Sequence, residues 1–264
     1  MKMSFVRNFV TGRVTIVLLV FSLLHFQAFA VDLKQVISNA RGSYYSLQTQ
    51  GLKTFQCDAE PNWQKFLEVV NQKPVPANDP KLKQLKDLRF SVAINERGES
   101  TITPFMANGG KIDPTLNEMV DGFKQMLSGF YQTWTALVLT NPFPEAYAGL
   151  TLKQEGDNVR LLGKDGGSDV EILLSKNYAI TEMRVASPGS KIIMFPKFAK
   201  TEKGLLLTDV DSDINDGQQK VQLGITYQNV EGLKLPDHAS LKVTLPEQVV
   251  AVDISFSKYQ VTKQ

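Results

Sequence analysis

Apolar residues recur every three or four positions in several stretches of the first half of the chain. From about Ala146 they recur every second position almost to the end. The first spacing is that of a helix with one buried face, the second that of a strand with one. Leu33, Val36, Ile37, Ala40, Tyr44 and Leu47 predict an amphipathic helix over residues 31–50, with Gly51 as its stop. "LKTFQCDAE" then alternates as a strand, Leu52, Thr54 and Gln56 opposing Lys53, Phe55 and Cys57. Trp63, Phe66, Leu67 and Val70 mark a short helix over 62–71. The prolines of "QKPVPANDP" make a loop, and a brief charged helix follows over 81–87. "LRFSVAINERGESTITPF" reads as a hairpin turning at Glu96–Glu99.

The longest periodic stretch lies between Asp113, a good N-cap followed by Pro114 at the first helical position, and the stop at Asn141-Pro142. It predicts a helix from Pro114 to about Thr140, roughly 40 Å long at 1.5 Å per residue. Phe123, Met126, Leu127, Phe130, Trp134, Leu137 and Val138 share one face, and Lys124, Gln125, Ser128 and Gln132 the other. Gly122 and Gly129 lower helix propensity and admit a bend. Glu118, Asp121 and Lys124 make it a poor membrane span.

Beyond Ala146 only strands are expected. "YAGLTLKQEGDNVRLLGKDG" reads as a hairpin, followed by "DVEILLSK", "YAITEMRVASPG", "SKIIMFPKF", "KGLLLTDVD", "KVQLGITYQ", "ASLKVTL" and "VAVDISFSKYQV". In the last, Val252, Ile254 and Phe256 alternate, then Tyr259 and Val261 fall out of phase, which predicts a β-bulge near Ser257–Lys258. Helices first and meandering strands after predict an α+β fold with an antiparallel sheet. No repeat or linker divides it.

Composition adds a compartment. Residues 1–30 hold Lys2, Arg7 and Arg13, an apolar run over 14–24 and the small-x-small pattern Ala28-Phe29-Ala30, the parts of a secretory signal peptide cleaved before Val31. The apolar run is shorter than the ~20 residues a membrane span needs, so no transmembrane segment is expected after cleavage. No cysteine lies near the cleavage point, so no lipid-modified N-terminus is expected, and the expected location is periplasmic or secreted. The whole chain carries 29 basic and 27 acidic residues. Losing the three basic residues of the leader leaves it nearly neutral, with no long basic run, which argues against nucleic acid as a partner. Cys57 is the only cysteine, so no internal disulfide can form. His238 is the only histidine outside the leader, so a histidine-rich metal site cannot be built.

Candidate chemistry is sparse. Asp209, Asp211 and Asp213 have the opening spacing of a calcium loop, but Ile214 and Lys220 stand where the loop needs Gly and Glu, so a solvated turn is expected. "GKDGGSD" joins two strands and opens no helix, so it is read as a turn rather than a phosphate loop. A Ser-His-Asp order is discounted, because the one histidine sits in an apparent Pro-Asp-His turn. Paired carboxylates stay open, with none singled out. No catalytic residue, metal ligand or cofactor is therefore assigned. The long helix leaves two readings of its stripe: a closed core against the sheet, or the lining of an apolar cavity formed by Met119, Phe123, Met126, Leu127, Phe130 and Trp134.

The signal, the N-terminal helix, the strand and the meander together resemble the LolA/LolB-like superfamily of periplasmic lipoprotein-localisation factors. The resemblance is strongest in "VQLGITYQNVEGLKLPDHASLKVTL", a strand, Gly-x-x-x-Pro turn and strand, and in the terminal "VDISFSKYQV". It covers the first fifty residues after the leader and roughly residues 146–262. It implies a curved antiparallel half-barrel covered by helices, as a single domain over 31–264, whose apolar face accepts acyl chains. The helix within 113–143 is then a long insertion, and no counterpart of the family's lid-latching basic residue is found. The function expected is a non-enzymatic carrier of a lipid, acyl chain or lipoprotein, with envelope proteins as further candidate partners. The alternatives are a structural or envelope-assembly protein whose helix fills its own core, and a hydrolase with unrecognised carboxylates.

Overall fold

In the computed structural model, which describes residues 32–143 and 149–264, the chain opens on helix α1 (Leu33–Ser43). The expected leader, its expected cleavage point and the first residues of the hairpin expected from Ala146 lie outside the described residues. Strand β1 (Leu52–Pro61), helices α2 (Trp63–Asn71) and α3 (Pro80–Leu85), and strands β2 (Leu88–Ile94) and β3 (Ser100–Met106) follow. A 3-10 turn (Pro114–Leu116) leads into helix α4 (Asn117–Trp134), which ends in a π turn (Thr135–Leu139). Strands β4 (Thr151–Glu155), β5 (Asn158–Asp165), β6 (Ser168–Leu174), β7 (Ile180–Ser187), β8 (Ser190–Thr201) and β9 (Gly204–Ile214) come next. Then β10 (Gln219–Val230), β11 (Leu233–Thr244) and β12 (Val249–Lys263) complete the chain. Leu33–Gln264 forms one compact unit.

All the strands belong to one open sheet in the order β3-β2-β1-β12-β11-β10-β9-β8-β7-β6-β5-β4, antiparallel throughout. From β4 to β12 each strand pairs with the next in sequence; only the β1–β12 pairing closes a long loop. The fold class expected from the alternation, α+β with an antiparallel sheet, is the one observed. One face, here the inner face, bears α4 and the core side chains: Phe55, Cys57 and Ala59 on β1, Phe90 and Val92 on β2, and Val252, Ile254 and Phe256 on β12. The outer face is mostly polar, with Phe195 exposed on it. There Arg160 on β5 donates to Glu155, Glu171 and Glu182 at 2.9, 3.2 and 3.1 Å, tying β4, β5, β6 and β7 together.

Local chemistry explains the element ends. Asn62 caps α2 by accepting from the Lys65 amide at 3.0 Å, and Asp113 caps the 3-10 turn by accepting from Thr115 at 2.9 Å. The bulge on β12 is present: the register with β1 jumps from Ser257 to Gln260, and Lys258 adopts φ 54°. Two expectations differ. First, α1 stops at Ser43 rather than near residue 50, because the following amides have other partners. Tyr45 N–H donates to the Leu205 carbonyl at 3.0 Å, and Leu47 and Gln48 donate to the Val138 and Leu139 carbonyls at 2.9 and 3.0 Å. These last two satisfy carbonyls that the end of α4 leaves without helical partners. Second, the Asp209–Asp213 cluster lies within β9, and the turn follows at Asn215–Gly217.

The crossing of Tyr44 and Tyr45 over β9 is possible only at a glycine. Gly204 has φ +119°, and a Cβ there would meet the Tyr44 carbonyl carbon and the Tyr45 nitrogen at 2.7 Å. Gly204→Ala is therefore expected to cost at least the ~1–3 kcal/mol of a strained backbone position, read as a lowered urea midpoint with an unchanged slope.

Candidate functional site

Helix α4 crosses the inner face with its aromatic stripe downward. The Phe123 ring centre lies 4.4 Å from Trp63, 4.9 Å from Phe66 and 6.0 Å from Phe90. Phe130 stacks on Phe256 at 5.5 Å, and Trp134 meets Phe55 edge-on at 5.8 Å. Of the six residues expected to line a cavity, Phe123, Leu127, Phe130 and Trp134 are buried in this packing, and Met119 and Met126 are half-buried. The four are shut rather than partly open, because aromatic rings from β1, β2, β12 and α2 fill the space beneath the helix. Met119 and Met126 share one flank of α4. Thr135 and Leu139, on the opposite flank, pack at Gly98 in the β2–β3 turn. By helical spacing the two methionines therefore face away from that end of the sheet.

The inner face is not equally covered along its strands. Pro196, Val210, Leu223, Leu241 and Val252 are direct cross-strand neighbours on β8 to β12, and all are buried. Two residues further along each strand lies a second row on the same face. It runs Leu152, Leu161, Ile172, Met183, Met194, Ser212, Val221, Val243 and Val250, each paired directly with the next across β4 to β12. All but Leu161 are half-buried, and all but Ser212 are apolar. Val170, Val185, Ile192 and Ile214 begin a third row, also half-buried. The side chains thus form an apolar shelf that leaves the closed core and continues toward the ends of the strands.

Cys57 is buried against the Tyr131 hydroxyl, 3.5 Å away, and burial pushes its thiol up to about 11. Such a thiol carries almost no thiolate at neutral pH and is a poor nucleophile. Trp134 Nε1 and the Tyr227 hydroxyl are buried close to each other, the two side-chain polar atoms of the core that no hydrogen bond of good geometry satisfies among the described residues.

The outer face holds chemistry that sequence reasoning set aside. His238 and Ser255 are direct neighbours across β11 and β12, and Nε2 of His238 lies 3.0 Å from Ser255 Oγ. Nδ1 of the same ring lies 3.1 Å from Oδ2 of Asp237. A ring that donates Nδ1–H to the carboxylate leaves Nε2 to accept from the serine hydroxyl. The segment read as a Pro-Asp-His turn is strand. The pairing with β10 goes from Thr226–His238 to Tyr227–Pro236, so Asp237 is the extra residue of a bulge. The bulge breaks the alternation that would put Asp237 and His238 on opposite faces, and so allows the contact. Leu235 and Ala239, four residues apart, keep the same alternation through this segment, so spacing alone gave no sign of the bulge. A cavity of about 340 Å³ adjoins this histidine, with Thr226, Ser240, Asp209 and Asp253 in its walls. Gly224 is its floor: a Cβ there would meet Ser240 Oγ at 2.8 Å.

Comparison with protein-family models, with curated proteins and with solved structures returns no match to this chain. Among the described residues, no helix is long and apolar enough to cross a membrane, and no three His, Cys, Asp or Glu side chains converge as metal ligands.

Two measurements check the packing. Phe130→Ala is expected to lose about 3–5 kcal/mol of stability in denaturant unfolding, the range for a buried aromatic truncated in a tight core. Cys57 is expected to resist iodoacetamide at pH 8 in the native protein and to react quickly in urea. Rapid native alkylation would show that the thiol is neither buried nor raised.

Proposed function

We propose that the protein is a binding or carrier protein of the cell envelope that holds an acyl chain, of a lipid or a lipoprotein, along the apolar shelf of its inner face. The observation that carries this reading is the half-buried row from Leu152 to Val250. Contiguous apolar surface of this kind on a soluble chain marks a binding site more often than chance. Recognition would be by desolvation, at about 0.8 kcal/mol for each methylene buried, so a long chain binds without a polar anchor. Met119 and Met126 would adjust to it from the side of α4, methionine being unbranched and polarisable. The arrangement fits the LolA/LolB-like half-barrel that the order of elements resembles, and the leader fits delivery to the periplasm. On this reading the acyl chain lies beside the long helix and not beneath it, where the aromatic rings close the space.

A second reading has its own support. The shut packing of Phe123, Leu127, Phe130 and Trp134 suits a structural or envelope-assembly protein that fills its core with its own helix. Its shelf would then meet another protein.

The two separate in a titration with a fluorescent fatty acid, together with native mass spectrometry for lipid that co-purifies. A carrier binds the probe, and Met194→Asp or Val221→Asp weakens binding about tenfold or more, because a charge is placed against the chain. Thermal unfolding of these variants should shift far less than that of Phe130→Ala. No binding by the unaltered protein, or equal binding by both shelf variants, would refute the carrier.

A further inference from the structure

We propose that Ser255, His238 and Asp237 form an acyl-transfer site on the outer face, one that accepts small uncharged or cationic esters. Three observations on separate elements meet here. Ser255 and His238 are placed by the β11–β12 register, at 3.0 Å between Oγ and Nε2. Asp237 is brought to Nδ1 by a bulge, at 3.1 Å, and without the bulge it would point to the inner face. The adjoining cavity of about 340 Å³ is lined by His238 itself and by Gly224, where a Cβ would meet Ser240 Oγ, and Ser255 stands beside it across the strand pair. Nucleophile, base and orienting carboxylate thus follow the order of roles that acyl transfer needs, whatever the fold that presents them.

In the first step Ser255 Oγ attacks the ester carbonyl carbon as its proton passes to Nε2 of His238. The carbon–oxygen bond to the leaving group then breaks, the leaving oxygen takes that proton, and the acyl group remains on Ser255. In the second step water gives a proton to Nε2 and its oxygen attacks the acyl carbon. The carboxylic acid departs and Ser255 regains its proton. Asp237 touches neither substrate nor the reacting atoms; it is a positioning residue that holds the ring with Nε2 facing the serine. Asp209 in the cavity wall disfavours anionic substrates and leaves neutral and cationic esters, while Asp253 beside it is held by the Lys65 ammonium. No pair of backbone amides converges above Ser255, since β12 is paired on both sides with β1 and β11. The site therefore suits activated esters, whose leaving groups need little oxyanion stabilisation.

The experiment is labelling of the purified full chain with a neutral fluorophosphonate, located by peptide mass spectrometry, beside hydrolysis of p-nitrophenyl acetate. One adduct on Ser255 is expected, absent in Ser255→Ala and formed about a hundredfold more slowly in His238→Gln, as for loss of a general base. Asp237→Asn should slow labelling too and Asp237→Glu should restore part of the rate, a rescue that a merely structural role would not produce. Ser255 and His238 lie on the outer face away from the core, so circular dichroism should report folded variants. Absence of an adduct on Ser255, or labelling of His238→Gln at the unaltered rate, would overturn the proposal. Both results are independent of acyl-chain binding on the inner face.

Discussion

The interlock between the aromatic stripe of α4 and the inner face of β1, β2 and β12 is the contact on which the rest of this protein depends. An open antiparallel sheet has one face that must be hidden from water, and here α4, together with Trp63 and Phe66 of α2, packs on its most apolar part. Phe123, Phe130 and Trp134 each meet an aromatic partner from a different element, α2, β12 and β1 in turn. Ring pairs of this geometry add about 0.5–1.5 kcal/mol each beyond the area they bury. The C-terminal end of the helix is fixed as firmly, because the amides of Leu47 and Gln48 take up its last carbonyls. One segment, residues 44–48, therefore joins α1, β9 and α4, and Gly204 gives it room to pass.

That interlock also decides where a ligand can go. Beneath the helix the space is occupied. Along the strands the cover ends between one cross-strand row and the next, so Leu223 and Leu241 are buried while Val221 and Val243, two residues away on the same face, are half-exposed. Residues of similar type do different work according to their place along the strand. The proposed function rests on this gradient rather than on any one residue.

Irregularities in the strands matter as much as the strands. The bulge at Lys258 lets Tyr259 return to the inner side, where it packs on Phe55 at 5.8 Å. The bulge at Asp237 does the reverse and turns a carboxylate outward beside His238. Each rearranges the local ladder and re-aims a side chain that strict alternation would have misplaced.

Much of the architecture could be read from the chain itself, because helical and strand periods are local properties of the backbone. The start of the long helix at Asp113-Pro114, its apolar stripe, the meander after residue 146 and the β12 bulge all follow from spacing within a few residues. What spacing could not say is what lies across from each residue. Phe130 was compatible with a cavity wall or a closed core, and only the arrival of Phe256 from the far end of the chain made it core. Tyr44 and Leu47 kept the helical period yet left the helix, because hydrogen-bond partners on β9 and α4 outweighed one more turn. His238 and Ser255, 17 residues apart, met through the register of two strands. Asp237 joined them through a bulge whose cause is the pairing with β10. The sequence determined which elements form and which of their faces are apolar, since both are set by neighbours along the chain. Only the tertiary structure decided which apolar face is covered and which polar side chains meet, since both depend on neighbours across it.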